Sequence, residues 1–253
     1  MSAKKVLVLF GAVALGASVL TGCGGGEGGG GSAGSGDGGK GPFAGKSADE
    51  IAAAAVKATR DAESVHITGT GKQQGQEMKL DFSVDNKDNC TGTLAGPEAE
   101  ADVLQVGQAV YVRADKAFWE NILKAQGAAS DGAVDKLAGK WVKSDADEAG
   151  TEGMCDKQAV IAALDSDKSE REGMKKGKET EVDGESALTL TKKAGNGEEF
   201  TLYVATEGEP YILKAVSKGG ENPGETTLTD YNKKVDAEEP PADEVVDPKQ
   251  LQG

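Results

Sequence analysis

The sequence is poor in the residues that build most catalytic and metal sites. Of its 253 residues, one is histidine, three are cysteine and 4% are aromatic. A structural zinc site needs about four nitrogen or sulfur ligands at short spacing, and neither the single His66 nor any cysteine has such partners. A nucleophile–histidine–acid triad would have to use His66, which lies between Val65 and Ile67 in a predicted strand. We therefore expect a protein that is not an enzyme and has no metal ion and no cofactor.

The sequence also lacks a surplus of basic residues and a hydrophobic run long enough to cross a membrane. Its 43 acidic and 28 basic residues give a formal net charge of −15. This balance excludes nucleic acid as a partner and predicts repulsion from anionic lipid headgroups. The apolar run near the N-terminus covers residues 6–20. It is shorter than the roughly 20 residues of a transmembrane helix but suits the core of a signal peptide.

The first 23 residues have the organisation of a bacterial lipoprotein signal. Lys4 and Lys5 precede the apolar run, and Leu20-Thr21-Gly22-Cys23 follows it. These four residues resemble a lipobox, in which a small residue stands before a cysteine whose thiol takes up lipid. The alternative is an ordinary signal peptide with a cysteine nearby. We interpret residues 1–22 as a cleaved signal peptide and Cys23 as the lipid anchor, which predicts a protein held on the extracytoplasmic face of the cell membrane.

The segment after Cys23 is too rich in glycine to fold. Residues 24–46 contain 13 glycines in 23 positions. Such a stretch cannot bury enough apolar surface to offset its ordering entropy, and as a coil it would span roughly 25–30 Å. We therefore interpret residues 23–46 as the lipidated cysteine and its tether. Residues 47–248 are then a single folded domain, and residues 249–253 are a tail.

Two cysteines remain beyond the anchor, Cys90 and Cys155, separated by 65 residues. An exported protein meets an oxidising environment, where a single pair of cysteines is typical of a disulfide. Closing a loop of this length would stabilise the fold by about 4 kcal/mol in the chain-entropy model. We therefore predict a disulfide between these two residues.

The pattern of apolar residues predicts an α+β fold with an antiparallel sheet. Ser47 and Glu50 have the spacing of a capping box that opens a helix to about Ala62. Strict alternation over residues 76–85 predicts a strand with one apolar face. Further helices are predicted at 116–125, 131–138 and 156–164, and further strands at 103–106, 110–113, 139–143, 188–191, 200–205, 211–217 and 226–231. Pro240 and Pro241 are predicted to end regular structure.

Four short stretches carry a resemblance to a known family. They are residues 65–67 (VHI), 139–142 (GKWV), 202–205 (LYVA) and 240–247 (PPADEVVD). In a lipobox protein with this order of helices and strands, they resemble the actinobacterial lipoproteins of the LolA-like superfamily that includes LppX and LprG. The resemblance covers roughly residues 47–248. It implies a curved half-barrel sheet with helices packed on one face, around an apolar cavity for acyl chains.

This resemblance and the alternating strands together suggest a lipid-binding face. The eight candidate residues are Met78, Leu80, Phe82, Val84, Leu188, Leu190, Leu202 and Val204. On this hypothesis a monomeric protein binds or carries lipid or a lipoconjugate through apolar contact. A cell-envelope interaction or sensor module with a solid core and no ligand is the alternative. A solute-binding protein needs strands that alternate with helices in two lobes, and the consecutive strands of the last third disfavour it.

Overall fold

The computed structural model describes residues 42–73, 75–125, 131–145, 155–164, 172–194, 197–220 and 223–247. The predicted signal peptide, Cys23, nearly all of the tether and the tail at 249–253 lie outside these residues. Within them, no helix is both long and apolar enough to span a membrane.

The helices form where capping and apolar periodicity predict them. Their bounds are α1 (Ala48–Asp61), α2 (Lys116–Ala125), α3 (Asp131–Leu137) and α4 (Lys157–Leu164), and a short 3₁₀ helix covers Ala242–Glu244. The predicted capping box opens α1: the Glu50 carboxylate accepts from the Ser47 backbone N–H at 2.7 Å, and the Ser47 hydroxyl accepts from the Glu50 N–H at 3.2 Å. The buried face of α1 is formed by Ile51, Ala52, Ala55, Val56 and Thr59.

The strands form one large sheet. Their bounds are β1 (Ser64–Gln73), β2 (Gln76–Asp85), β3 (Asn89–Ala95), β4 (Glu100–Val106), β5 (Ala109–Ala114), β6 (Trp141–Asp145), β7 (Lys175–Val182), β8 (Glu185–Lys193), β9 (Glu199–Ala205), β10 (Ile212–Lys218), β11 (Gly224–Thr229) and β12 (Val245–Val246). They lie in the order β12-β6-β5-β4-β3-β2-β1-β11-β10-β9-β8-β7. The sheet is therefore open, with β12 and β7 at its two edges, and the predicted α+β class with an antiparallel sheet is confirmed.

Two meanders meet in the middle of this sheet. Strands β1 to β6 pair consecutively toward one edge, and after α4 the chain resumes at β7 on the opposite edge and pairs consecutively back to β11. Antiparallel pairing of β1 with β11, for example His66 with Thr229, joins the two halves. One ladder differs, since β12 pairs with β6 in parallel. The sheet is thus completed by contacts between the first and the last long strand.

Two glycines allow the backbones of neighbouring strands to approach closely. Gly92 of β3 lies opposite Phe82 of β2, and a Cβ atom at Gly92 would lie 2.1 Å from the Asp81 carbonyl oxygen. Gly224 of β11 lies opposite Gly71 of β1, and a Cβ atom there would lie 2.7 Å from the Thr70 carbonyl oxygen. Glycine inside a strand is typical of a bend or a close approach. Gly92 and Gly224 therefore accommodate the curvature of the sheet next to β1 and β2.

The core fills the inner face of the curved sheet beneath α1 and α4. Helix α1 packs against β9, β10 and α4, and its Ile51 is fully buried. Val84, Leu190 and Val204, which come from both meanders, belong to the same buried cluster. The two halves of the sheet therefore share one hydrophobic core.

Two further contacts hold α4 in place. A disulfide joins Cys90 at the start of β3 to Cys155 just before α4, and the two Cα atoms lie 5.3 Å apart. Lys157 is only 1% exposed, and its ammonium group donates to the carbonyl oxygens of Arg60 (2.7 Å) and Ala62 (2.6 Å) at the end of α1. Burial lowers the pKa of Lys157. The C-terminus of α1 is therefore satisfied by a side chain from α4.

Three strands are absent from the prediction. Neither β3 nor β7 was predicted, although β3 lies inside the sheet and β7 forms an edge. The prediction that Pro240 and Pro241 end regular structure was wrong, because a 3₁₀ helix and β12 follow them. Proline has no backbone N–H to donate in a strand ladder. However, β12 begins four residues beyond Pro241, and both of its residues, Val245 and Val246, have a backbone N–H.

Candidate functional site

Six of the eight candidate residues lie in the hydrophobic core. Leu188 pairs with Val204 and Leu190 with Leu202 across β8 and β9. The buried members of the set are Phe82, Val84, Leu188, Leu190, Leu202 and Val204, each at most 9% exposed. All six belong to one cluster that α1 also joins. The structure therefore brings these six residues together in one cluster on one side of the sheet.

Met78 and Leu80 share the inner face of β2 with Phe82 and Val84 but lie nearer its N-terminal end. Leu80 is 37% exposed, and Met78 is half-buried. Burial on this face therefore decreases from Val84 and Phe82, which are buried, to Leu80, which is exposed, and Met78 beyond it is again partly buried. The helices cover one end of the inner face and leave apolar side chains accessible at the other.

A pocket of about 190 Å³ lies at this accessible end. Its apolar wall is formed by Met78, Leu94, Pro97, Ala99 and Phe118, and its polar rim by Gln76, Glu98 and Asn121, with Gly96 between them. It lies between helix α2 and the end of the inner face formed by the start of β2 and the end of β3. The pocket is smaller than the roughly 300–1,000 Å³ of most small-molecule sites.

Two exposed apolar side chains extend the wall of this pocket. Leu80 lies directly opposite the pocket residue Leu94 in the β2–β3 ladder. Ile122 is 38% exposed and follows Phe118 by four residues, so both project from the same face of α2. In the described part of the chain, Leu80 and Ile122 are the large hydrophobic residues classed as exposed. The pocket and its two flanks therefore form one partly open apolar surface.

Local hydrogen bonds position both walls. The Asp115 carboxylate accepts from the Phe118 backbone N–H at 2.7 Å and so caps the first turn of α2. On the other side, the Gly96 N–H donates to the Ala99 carbonyl at 2.8 Å and closes the turn between β3 and β4. A Cβ atom at Gly96 would lie 3.2 Å from the Met78 sulfur. Glycine at this position therefore leaves room for the Met78 side chain in the pocket.

Leu94, Phe118 and Ile122 are not among the eight residues predicted to bind lipid. Leu94 belongs to the unpredicted β3. Phe118 and Ile122 carried a usable signal, because their spacing of four residues on a predicted helix places both on one face. Next to Phe118, Trp119 is 8% exposed, and its indole N–H has no acceptor among the residues that the structure describes.

His66 lies on the opposite, outer face of the sheet. Its Nε2 is 2.7 Å from an Asp81 oxygen and its Nδ1 is 3.2 Å from the Thr229 hydroxyl. The three residues have the order of a catalytic triad, but Asp81 is 59% exposed. Nucleophilic catalysis of this kind needs a water-excluded site with donors for an oxyanion. The geometry supports a cross-strand hydrogen-bond role for His66. Among the described residues, no group of three or more potential ligands could hold a metal ion.

The comparisons with known proteins identify the fold. No family model matches the chain, and no curated protein matches it by sequence. Among solved structures, LprF from Mycobacterium bovis superposes with a TM-score of 0.52 at 15% identity, covering 76% of this chain and 96% of LprF. The lipoprotein LppX of Mycobacterium tuberculosis gives a TM-score of 0.47 at 14% identity, covering 76% of this chain and 98% of LppX.

The superposition on LprF shows which class of fold the chain has. It is a LolA-like α+β fold, with a curved antiparallel sheet and helices on its inner face. The fold that the predicted resemblance implied, a curved antiparallel sheet with helices packed on one face, is thereby confirmed.

Proposed function

We propose that this chain is an extracytoplasmic lipoprotein that is anchored through lipid on Cys23 and binds an acyl chain of a lipid or lipoconjugate. The acyl chain occupies the pocket between α2 and the β2–β3 end of the sheet. Binding is its activity, and no chemical step is part of the proposal. Lipid binding is also what the resemblance to LolA-like lipoproteins implies.

One observation carries this proposal: an apolar pocket that continues into exposed apolar side chains. Met78, Leu94 and Phe118 form the wall, and Leu80 and Ile122 continue it outside. Covering such a surface contributes about 25 cal/mol for each Å² removed from water. A long unbranched hydrocarbon chain matches this surface because it needs no polar partner along its length.

A pocket of about 190 Å³ holds only part of an acyl chain, so binding requires the site to open or the ligand to extend beyond it. Trp119 of α2 and Val134 of α3 are buried in the same core cluster as the inner face of the sheet, so we expect the ligand to extend beyond the pocket rather than to displace these helices. The exposed Leu80 and Ile122 lie where the ligand would emerge.

The test is native mass spectrometry of the protein purified from its own membrane without detergent, followed by reloading with fatty acid or phospholipid. Leu94→Trp fills the pocket and should abolish uptake. The matched control is Thr93→Trp, on the same strand and with its side chain on the opposite face of the sheet, which should bind as the wild type does. Leu202→Trp is a poorer test, because Leu202 is 4% exposed and lies in the packed core.

The filled core favours the alternative function, an envelope interaction or sensor module without a ligand. Six of the eight candidate residues are buried in one hydrophobic cluster, each at most 9% exposed. If the wild type carries no lipid and takes up none on reloading, and Leu94→Trp behaves in the same way, this alternative replaces the carrier function.

The anchor is tested separately by intact-mass analysis of the protein from membranes. The mature chain should begin at Cys23 and carry at least two acyl chains, because one chain gives only marginal, reversible attachment. Cys23→Ser should give a chain without lipid mass that is released from the membrane. An unmodified Cys23 in the wild type would contradict the proposed anchor, whatever the pocket binds.

A further inference from the structure

Lysines gather at one end of the β7–β8 hairpin, although the chain as a whole is strongly acidic. Lys175, Lys176 and Lys178 lie in the first half of β7. Lys193 lies at the end of β8, next to them, because β8 runs antiparallel and Thr191 pairs with Lys175. Together with Lys46 these four residues form the lysine cluster, and all five lysines are exposed.

The charge changes sign along the same hairpin. The second half of β7 carries Glu179 and Glu181, and the turn and the start of β8 carry Asp183 and Glu185. Lys175 and Glu181 are six residues apart in the strand, or about 20 Å at roughly 3.3 Å per residue. This distance exceeds the Debye length of about 8 Å at physiological ionic strength. The two ends of the hairpin therefore differ in electrostatic sign, with the boundary between the adjacent residues Lys178 and Glu179.

The lysine cluster lies where the tether enters the folded domain. The Lys176 ammonium donates to the Phe43 carbonyl at 3.3 Å. The Asp49 carboxylate accepts from the backbone N–H groups of Gly173 and Met174, each at 3.1 Å. These bonds hold the start of the described chain against the start of β7. The proposed membrane anchor is therefore connected to the domain at its lysine-rich end.

Two acidic residues beside the lysine cluster, Asp49 and Glu50, bond to groups outside the cluster, and a third, Glu199, pairs with a lysine of the cluster. Glu50 is bound into the capping box by Ser47, whose hydrogen bonds lower its pKa, and Lys46 and Lys176 lower it further. Asp49 accepts the two backbone bonds described above, and Glu199 pairs with Lys193 at 3.2 Å. Glu172 precedes β7. Asp49 and Glu50 lower the net positive charge at the lysine-rich end of the hairpin. Lys175 and Lys178 nevertheless remain exposed to solvent.

Protection of the sheet edge does not account for this distribution. Charged side chains on an edge strand discourage pairing with other chains, and charges of either sign would serve along the whole of β7. Here the lysines are confined to the half of β7 next to the tether, and glutamates occupy the other half.

We propose that the lysine cluster contacts anionic lipid headgroups of the anchoring membrane and so sets the orientation of the domain on that membrane. This inference rests on the proposed Cys23 anchor. The net charge of −15 repels the rest of the surface from the same headgroups. Attraction at the tether and repulsion elsewhere together select one orientation, with the β7–β8 end toward the bilayer.

The experiment supplies the anchor chemically, so that its result depends neither on cellular lipidation nor on lipid in the pocket. The chain from Cys23 onward is coupled through Cys23 to a maleimide phospholipid in vesicles of phosphatidylcholine alone or mixed with phosphatidylglycerol. Lysines are then acetylated with a water-soluble reagent, and each site is quantified by peptide mass spectrometry. We expect acetylation of the lysine cluster to slow at least about threefold on the anionic vesicles and to recover near 1 M salt. Lys136 and Lys234 serve as internal controls and should not change.

Two variants of equal net charge separate a local contact from a general charge effect. Lys175→Glu/Lys178→Glu/Lys193→Glu should abolish the protection of Lys46 and Lys176 on anionic vesicles. Lys124→Glu/Lys136→Glu/Lys234→Glu should leave that protection intact. Circular dichroism checks that both variants fold. Equal acetylation of the wild-type cluster on the two vesicle types, or identical behaviour of the two variants, would overturn the proposal. Failure of the proposed lipid binding or anchoring would appear instead in the native-mass and intact-mass measurements.

Discussion

Lys157 offers the sharpest test of how α4 supports the rest of the fold. Its ammonium group donates to the carbonyl oxygens of Arg60 and Ala62, two of the groups that a helix end leaves without intrahelical donors. Lys157→Met keeps most of the apolar stem and removes both donors. Hydrogen bonds from a charged donor contribute about 1.5–3 kcal/mol each, while removal of the buried charge returns part of its desolvation cost.

The carbonyl groups of Arg60 and Ala62 each keep a hydrogen-bond donor in this variant. The Gln158 side-chain amide also donates to Arg60 at 3.1 Å, and the Asn86 amide donates to Ala62 at 3.0 Å. Each acceptor therefore retains one partner, which limits the expected loss for Lys157→Met to about 1–2 kcal/mol. Adding Asn86→Ala removes the second side-chain donor to Ala62. We expect the double variant to lose about 1 kcal/mol more than the sum of the two single variants.

Urea denaturation of the four proteins in this cycle measures the effect. The disulfide stays oxidised throughout, so that all four unfolded chains carry the same cross-link. Wild-type stability in Lys157→Met, or strict additivity in the double variant, would show that Lys157 does not act as the donor to the end of α1.

The same residue predicts a dependence on pH. Burial lowers the pKa of Lys157 in the folded chain below its ordinary value of 10.5. Between the folded and the unfolded pKa, the unfolded chain binds a proton that the folded chain has released, so stability rises with pH in this window. Lys157→Met lacks this contribution, and its deficit relative to the wild type should therefore grow as pH approaches 10.5.

Two more predictions concern the sheet. Gly92→Ala should destabilise the protein by about 3 kcal/mol, because its Cβ atom would lie 2.1 Å from the Asp81 carbonyl oxygen. At Gly71 a Cβ atom would meet only the Pro223 carbonyl oxygen, at 3.9 Å, so Gly71→Ala should change stability by less than about 1 kcal/mol. Thermal unfolding of the two variants checks this contrast, and a similar loss in both would refute the close approach at Gly92. Replacing Cys90 and Cys155 together by alanine should cost about 4 kcal/mol in chemical denaturation. Two free thiols titrated in unfolded, unreduced wild type would show instead that the bond does not form.

The elements predicted correctly are those whose own residues carry the signal. The capping box at Ser47 and Glu50 marks the start of α1, and the alternation in β2 marks its apolar face. By contrast, β7 consists almost wholly of exposed residues (KKGKETEV), so neither of its faces has a hydrophobic pattern. Strand β3 is interrupted by Gly92, which the sheet requires for close approach and which lowers strand propensity. Both strands depend on neighbours that the local sequence does not specify.

The candidate site was predicted in part for the same reason. Alternation in β2 correctly placed Met78 to Val84 on one face, but the period of two residues says nothing about which end the helices cover. Which end is covered depends on the packing of α1 against β9, β10 and α4, and these three elements are distant from β2 in the sequence. The pocket also takes Leu94 and Phe118 from elements that meet only in the folded chain.

The pairing of β1 with β11, which joins the two meanders, also governs the order in which the protein can fold. His66 and Thr229, which face each other across these two strands, are 163 residues apart. A chain that crosses a membrane N-terminus first completes β1 to β6 long before β11 emerges, and until then one edge of β1 has no partner. The bond from Cys90 to Cys155 can form in that interval, since both residues precede the second meander. Unpaired strand edges promote aggregation during slow folding of long-range sheets. A chain that stops before Gly224 retains this open edge permanently, so the last strands protect the first half of the molecule from self-association.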